Sequence, residues 1–328
     1  MAVGGTPVFV AAGGGILGAV EALRLEPALT PVATPRAAQV LLVGGEQRPS
    51  DRIALARIHA QLVEPRATVW WRTDRLSGFD LGTRAPESVS DAAAFISAQA
   101  TQSDAEAILL DDAPPNPWEG IGPHGQGGKG MMGGTPYGRP MAMTSDDLRD
   151  GLSLDAYTAT FGPYLTQWPP GLIMETTLQG DVIQSARIVE APLAQDVLAA
   201  TPHLELARLL RLLELPALAE RLVRAALANP SRAATGLARA VRWTGVLSAI
   251  PAGLGRDERG GDVRSRMAGR LHALAAGRPA EPAAPGDVAA MLAGLEWHEA
   301  ALVLASFSID ELRGAIASPA VRMAKGAA

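Results

Sequence analysis

The side chains able to hold a metal, an anion or a proton are few in this chain, and their spacing narrows the chemistry further. There are five histidines and no cysteine in 328 residues. Without thiolates there is no disulfide, no iron–sulfur ligation and no thiolate zinc site. His124 and Lys129 share one glycine-rich stretch, Gly122-Pro123-His124-Gly125-Gln126-Gly127-Gly128-Lys129-Gly130-Met131-Met132-Gly133-Gly134. An imidazole and an ammonium on a pliable loop suit an acidic ligand, whereas one imidazole alone is a poor metal site. We expect this loop to lie against a partner, with His124, Lys129, Met131 and Met132 as contacts. Met141 and Met143 extend the supply of adaptable thioethers. Packing over the chain's own second half is the plainer alternative.

Other candidates read as structure first. Gly13-Gly14-Gly15 follows an apolar run and precedes a helical one. A helix start can cradle an anion, yet neither the spaced dinucleotide fingerprint nor the phosphate-loop form is present, so a structural turn is expected. Asp111-Asp112 are adjacent carboxylates at the end of an apolar run, the edge where open α/β sheets bind ligands. Neighbours on a strand point apart, which argues against a catalytic pair. Trp70-Trp71 would be an interface anchor if exposed and core if buried. His59, His203, His272 and His298 lie in helical patterns without ligand spacing and are expected on helix surfaces. No catalytic residue, metal site or cofactor is assigned.

The elements that would position these residues follow from periodicity. Apolar residues make up 48% of the chain and aromatics 4%, so aliphatic side chains must build the cores. Pro7–Ala12, Ala38–Gly45, Ala67–Trp71 and Ala107–Leu110 are short apolar runs that read as strands. Helical patterns at 16–25, 50–62 and 89–98 alternate with them, Ser50 offering an N-cap. Such alternation predicts a parallel sheet covered on both faces. Leu172–Leu178, a turn at Gln179-Gly180-Asp181 and Val182–Val189 predict a hairpin. Helical patterns follow at 204–215, 217–228, 233–247, 262–275 and 287–295, and Ser308-Ile309-Asp310-Glu311 is a capped helix start. Residues 1–118 are thus expected to form an α/β domain, 119–160 a Gly/Met-rich connection, and 161–328 a hairpin-plus-helical domain.

The net charge of −5 argues against a nucleic-acid footprint. No apolar run approaches the roughly 20 residues of a membrane-crossing helix. The first residues lack the basic region of a secretory signal. The expected location is cytoplasmic, with a peripheral position on the inner face of the cell membrane open.

Three stretches together resemble the paired subunits at the quinone end of respiratory complex I, kin to the small and large subunits of nickel–iron hydrogenases. Pro35–Gly45 with Ala54–Val69 resembles the small subunit's strand and following helix, and Ala113-Pro114-Pro115-Asn116-Pro117 its last cluster-ligand loop. Gly162-Pro163 to Leu172, followed by Thr176–Ile183, resembles the opening hairpin of the large subunit. Gly261-Asp262-Val263-Arg264-Ser265-Arg266-Met267 is similar to a helix start further along that subunit. The resemblance runs through most of the chain in family order, as in a fused, shortened, cysteine-free relative. It implies a flavodoxin-like, hydrogenase small-subunit-like parallel-sheet domain, then a truncated large-subunit-like hairpin and helical bundle.

The departures define the function the resemblance implies. Where the paired cluster cysteines would fall, this chain has Ala11, Ala12 and glycines. Another thiol would fall near Trp70–Asp74, and the last at Ala113. The two histidines of the family's quinone-facing loop fall near Leu165 and Pro170, and Trp168 lies where it could plug the vacated space. Glu21 stands one turn beyond the missing thiols, either as the family's acidic residue or as a solvated helix residue. The implied function is a non-redox scaffold subunit of a complex I-like or hydrogenase-like assembly, not catalytic alone. Its partners would be other protein subunits, including membrane antiporter-like ones. The alternative is a NADH-quinone oxidoreductase-type subunit that keeps quinone or nucleotide binding without its own cluster. A third reading is a stand-alone binder of an acidic small molecule through His124–Lys129.

Overall fold

The computed structural model describes residues 4–101, 143–144, 155–228 and 234–317. The strand expected at 107–110, Asp111-Asp112, Ala113, His124, Lys129, Met131, Met132 and Met141 lie outside them.

The front of the chain alternates strand and helix: β1 (Thr6–Ala12), α1 (Leu17–Leu23), β2 (Leu29–Pro31), β3 (Val40–Gly44), α2 (Arg52–Ala60), β4 (Ala67–Trp71), β5 (Thr83–Arg84) and α3 (Val89–Gln99). The strands form one parallel sheet in the order β2-β1-β3-β4-β5. Every residue of β3 and β4 is buried, which is why these segments read as unbroken apolar runs. Alternation sorts their side chains to two cores. Val8, Val10, Val40, Leu42, Val69 and Trp71 pack with α1 and α3. Phe9, Ala11, Leu41, Val43 and Trp70 pack with α2.

The fold decides the open reading of one pair of residues, corrects one expected cap and adds two short strands. Trp70 and Trp71 are both fully buried, one on each face, so they are core and not an interface anchor. Ser50 does not cap a helix. The chain makes a short 3-10 turn at Pro49–Asp51, and the Asp51 carboxylate accepts the Arg48 N–H at 3.1 Å before α2 begins. The short strands β2 and β5 had no readable sequence signal, since two or three residues carry no period.

The second half opens with β6 (Met143–Thr144), β7 (Asp155–Phe161), β8 (Ile173–Gln179) and β9 (Val182–Glu190), joined antiparallel in that order. The hairpin β8–β9 lies where the alternation put it. The long strand β7 was not anticipated and crosses position 160, inside the span read as connection. Its Thr158 and Thr177 hydroxyls meet at 2.8 Å on the outer face. Helices follow: α4 (Pro202–Leu212), α5 (Pro216–Ala228), α6 (Ala234–Trp243), α7 (Val246–Ala249), α8 (Val263–Ala276), α9 (Val288–Leu292), α10 (Trp297–Ala305) and α11 (Ile309–Ala317). One apolar core joins Met174, Ile183 and Ile188 of the hairpin to Leu206, Leu210, Leu222 and Leu271 of the helices.

Helix starts obey their capping signals. The Ser308 hydroxyl accepts the Glu311 N–H at 3.1 Å, and the Glu311 carboxylate accepts the Ser308 N–H at 2.7 Å. Asp262 caps α8 by accepting the Ser265 N–H at 2.8 Å, and the Gly253 N–H adds a second bond at 2.8 Å. These bonds hold the Asp262 carboxyl well below its ordinary value, at about 2.

Candidate functional site

The two halves meet at the C-terminal ends of β1 and β3, and their junction is polar and closely fitted. Tyr164, in the turn between β7 and β8, donates its hydroxyl to Gln47 Oε1 at 2.5 Å. Gln47 in turn donates to the carbonyls of Gly44 and Gly45 at 2.8 and 3.0 Å. Burial pushes the Tyr164 hydroxyl far above its usual range, so it remains a donor. Arg48 reaches across to the Ala191 carbonyl at 2.6 Å.

The glycine turn is sealed from the same side. The Gly15 N–H donates to the Ala194 carbonyl at 2.9 Å. Gln195 accepts the Leu17 N–H at 3.2 Å and donates to the Gly13 carbonyl at 3.0 Å, and Asp196 accepts the Gly18 N–H at 3.0 Å. The donors that could have cradled a bound anion are therefore engaged by the chain's own Gln195 and Asp196, and the turn is structural.

An iron–sulfur cluster, which the resemblance brings to mind, does not fit this junction. Ala11 is fully buried among Phe9, Leu41 and Val43. A Cβ on Gly13 would stand 2.3 Å from both Gln47 Nε2 and the Glu46 carbonyl oxygen. Cysteine thiolates are absent, and the space is filled by backbone and Gln47. Among the described residues, no three His, Cys, Asp or Glu side chains gather as metal ligands.

Beside the sealed turn lies an open cavity of about 330 Å³. One wall is the end of β1 with α1, including Ala12 and Glu21. The facing wall is the β7–β8 connection, including Leu165, Trp168 and Pro170, with α4. Two regions that the resemblance singled out separately are thus brought face to face. Trp168 is held in its wall by stacking on Trp297, ring centres 4.8 Å apart, and by an edge contact with Phe161 at 6.2 Å.

The charged lining was not foreseen. Glu21, expected on a solvated helix face, is 3% exposed. It accepts two hydrogen bonds from the Arg211 guanidinium across the junction, at 2.8 and 2.5 Å. Arg24 Nε stands 3.8 Å from the same carboxylate, and it makes no hydrogen bond. Arg208, one turn before Arg211 on α4, has a buried Nε that also makes none. Burial lowers the Arg24 guanidinium from its ordinary value, with Glu21 working against the shift. The same holds for Arg208, with Glu205 opposing. Behind Arg208, Glu205 accepts a 2.7 Å bond from Arg270. Arg24, Arg208 and Arg211 therefore line the cavity with two carboxylates, Glu21 inside and Glu214 at the exposed rim. The pair Arg208/Arg211 sits at i, i+3 in a leucine-rich helix, a spacing that in sequence reads only as a solvated face.

The histidines divide. His59 and His203 are buried, contrary to expectation, and His59 Nδ1 lies 2.8 Å from the Thr68 hydroxyl. His59 lies on the side of α2 that packs on the sheet, so the same helical period serves the core. His272 and His298 are exposed as expected, His298 at the cavity rim.

Among the described residues no helix is long and apolar enough to cross a membrane. No family model, curated protein or solved structure matches the chain.

Proposed function

We propose that this chain is a non-redox structural subunit of a multi-subunit assembly of the complex I or hydrogenase kind, bridging partner subunits at the inner face of a membrane. The observation that supports it best is the junction itself. The two halves that resemble separate subunits are joined by the buried Tyr164–Gln47 bond, and among the described residues side chains and backbone fill the space around Ala11 and Gly13, where the resemblance puts the paired ligands. The resemblance to electron-transfer subunits is thus paired with a packed, thiol-free junction.

Surface chemistry supports a partner-binding role. Trp243, at the end of α6, is 85% exposed and Val197 88%. Trp is enriched where protein interfaces concentrate their binding energy.

The test is purification of the tagged chain at native expression from detergent-solubilised membranes. The expected result is a stoichiometric complex with membrane antiporter-like or cluster-bearing subunits, which Trp243→Ala weakens. The isolated chain should carry no iron by elemental analysis. A lone chain in the membrane extract, or stoichiometric iron in the isolated chain, would refute the reading.

The quinone-binding alternative rests on the cavity between the halves, whose wall carries Trp168 and Leu165. A saturable quinone titration of the isolated chain would favour it.

A further inference from the structure

We propose that the cavity between α1, α4 and the β7–β8 connection binds a small amphiphilic anion, a carboxylate or phosphate group carried on a short apolar body. The charge count comes first. Arg24, Arg208 and Arg211 line the space with Glu21 as their one interior carboxylate. Glu214 is exposed on the rim, beside the exposed His298. Glu21 already takes both of its strong bonds from Arg211. Glu205 is engaged by Arg270. The guanidinium groups of Arg24 and Arg208 are left with buried Nε–H donors that no described group accepts.

A buried donor without an acceptor costs free energy, and more when it belongs to a charged group. An anionic group entering the cavity supplies both the acceptor and the charge. Guanidinium donors match carboxylate and phosphate geometry, so either head group is served by the same pair of arginines. The lowered affinity of Arg24 and Arg208 for their protons, caused by burial, points the same way.

The rest of the wall selects an apolar body. Val10, Val20, Leu165 and the stacked Trp168 face the same space. A cavity of about 330 Å³ falls at the small end of ligand pockets, room for a short chain or a single ring system. An apolar wall beside convergent polar groups is the usual composition of a small-molecule site. A neutral apolar ring system would leave the Nε–H groups of Arg24 and Arg208 unaccepted.

The test uses the full isolated chain at constant ionic strength, with octanoate, octyl phosphate, octanamide and inorganic phosphate as probes. Octanoate or octyl phosphate should give saturable calorimetric titrations and a concentration-dependent rise in Tm. Arg208→Gln and Arg24→Gln should each weaken the better of the two by about tenfold, the loss of one charge-assisted contact. Arg224→Gln, on an exposed pair with Glu220, should leave affinity unchanged. If Arg208→Gln does not fold, Arg24→Gln carries the same comparison. Four results overturn the proposal: no saturable binding by either amphiphile, equal binding by octanamide, inorganic phosphate binding as tightly as octyl phosphate, or wild-type affinity in the arginine variants. The proposal stands apart from the scaffold reading, because the isolated chain is assayed without partner subunits.

Discussion

Replacing Glu21 by Gln tests the electrostatics of the junction directly. The carboxylate is 4% exposed, accepts two guanidinium bonds from Arg211, and lies 3.8 Å from Arg24 Nε. Removing one partner of a buried ion pair costs about 3–5 kcal/mol, because the other charge is left uncompensated. Arg211 is 25% exposed, so water recovers part of its solvation. Gln also keeps one acceptor. We therefore expect Glu21→Gln to cost about 2–3 kcal/mol. Arg208→Met should move stability the other way or not at all in the ligand-free chain, since it removes a half-buried cation whose buried Nε–H is unaccepted. The double variant Glu21→Gln/Arg211→Met should recover about 1–2 kcal/mol relative to the sum of the single changes. Equilibrium urea denaturation of Glu21→Gln, Arg211→Met, their double variant and Arg208→Met beside the wild type gives each quantity. A cost for Glu21→Gln below about 0.5 kcal/mol, in the range of surface changes, would refute the reasoning. So would a zero coupling to Arg211.

Tyr164→Phe should lower stability by about 1–2 kcal/mol, since Gln47 Oε1 loses its donor at 2.5 Å inside the junction; thermal denaturation reads it. Gly45→Ala should abolish soluble expression, because φ is +75° there and a Cβ would stand 2.4 Å from the Gly14 carbonyl oxygen; recovery of folded protein by circular dichroism checks it. Asp262→Ala should cost about 1 kcal/mol at pH 7, as loss of an N-cap does. The folded carboxyl titrates at about 2, below its ordinary 3.8, so its stabilisation is complete above that ordinary value and fades as the pH falls toward 2. The gap between Asp262→Ala and wild type in acid denaturation should close over that window.

How much was legible varied with the range of the interaction. The runs around β1, β3 and β4 are strands because the middle of β1 and every residue of β3 and β4 are buried on one face or the other, and an unbroken apolar run records that directly. The capping box at Ser308 and Glu311 is contained in four residues and was readable as such. β7 has no readable alternation, since Tyr157, Thr158 and Thr160 are exposed, Ala159 is half-buried, and Phe161 alone of its described residues packs against the core. The His59 position was misjudged because a helical period marks a face without saying whether sheet or solvent meets it.

The cavity lies at the far end of that scale. The resemblance singles out Leu165, Trp168 and Pro170, and it places Glu21 beside the missing thiols. Nothing in the sequence joined them to Arg24, Arg208 and Arg211. The Glu21–Arg211 bond spans 190 positions. Local pattern therefore determined which segments became strands and helices, how several of the helices begin, and that thiolate chemistry was out of reach. Tertiary packing alone decided that a helix near the start and another past residue 200 would face each other with unequal charge. Periodicity and capping act within a few residues along the backbone, whereas Coulomb interaction and desolvation act through space, between groups that only the folded chain brings within a few ångströms.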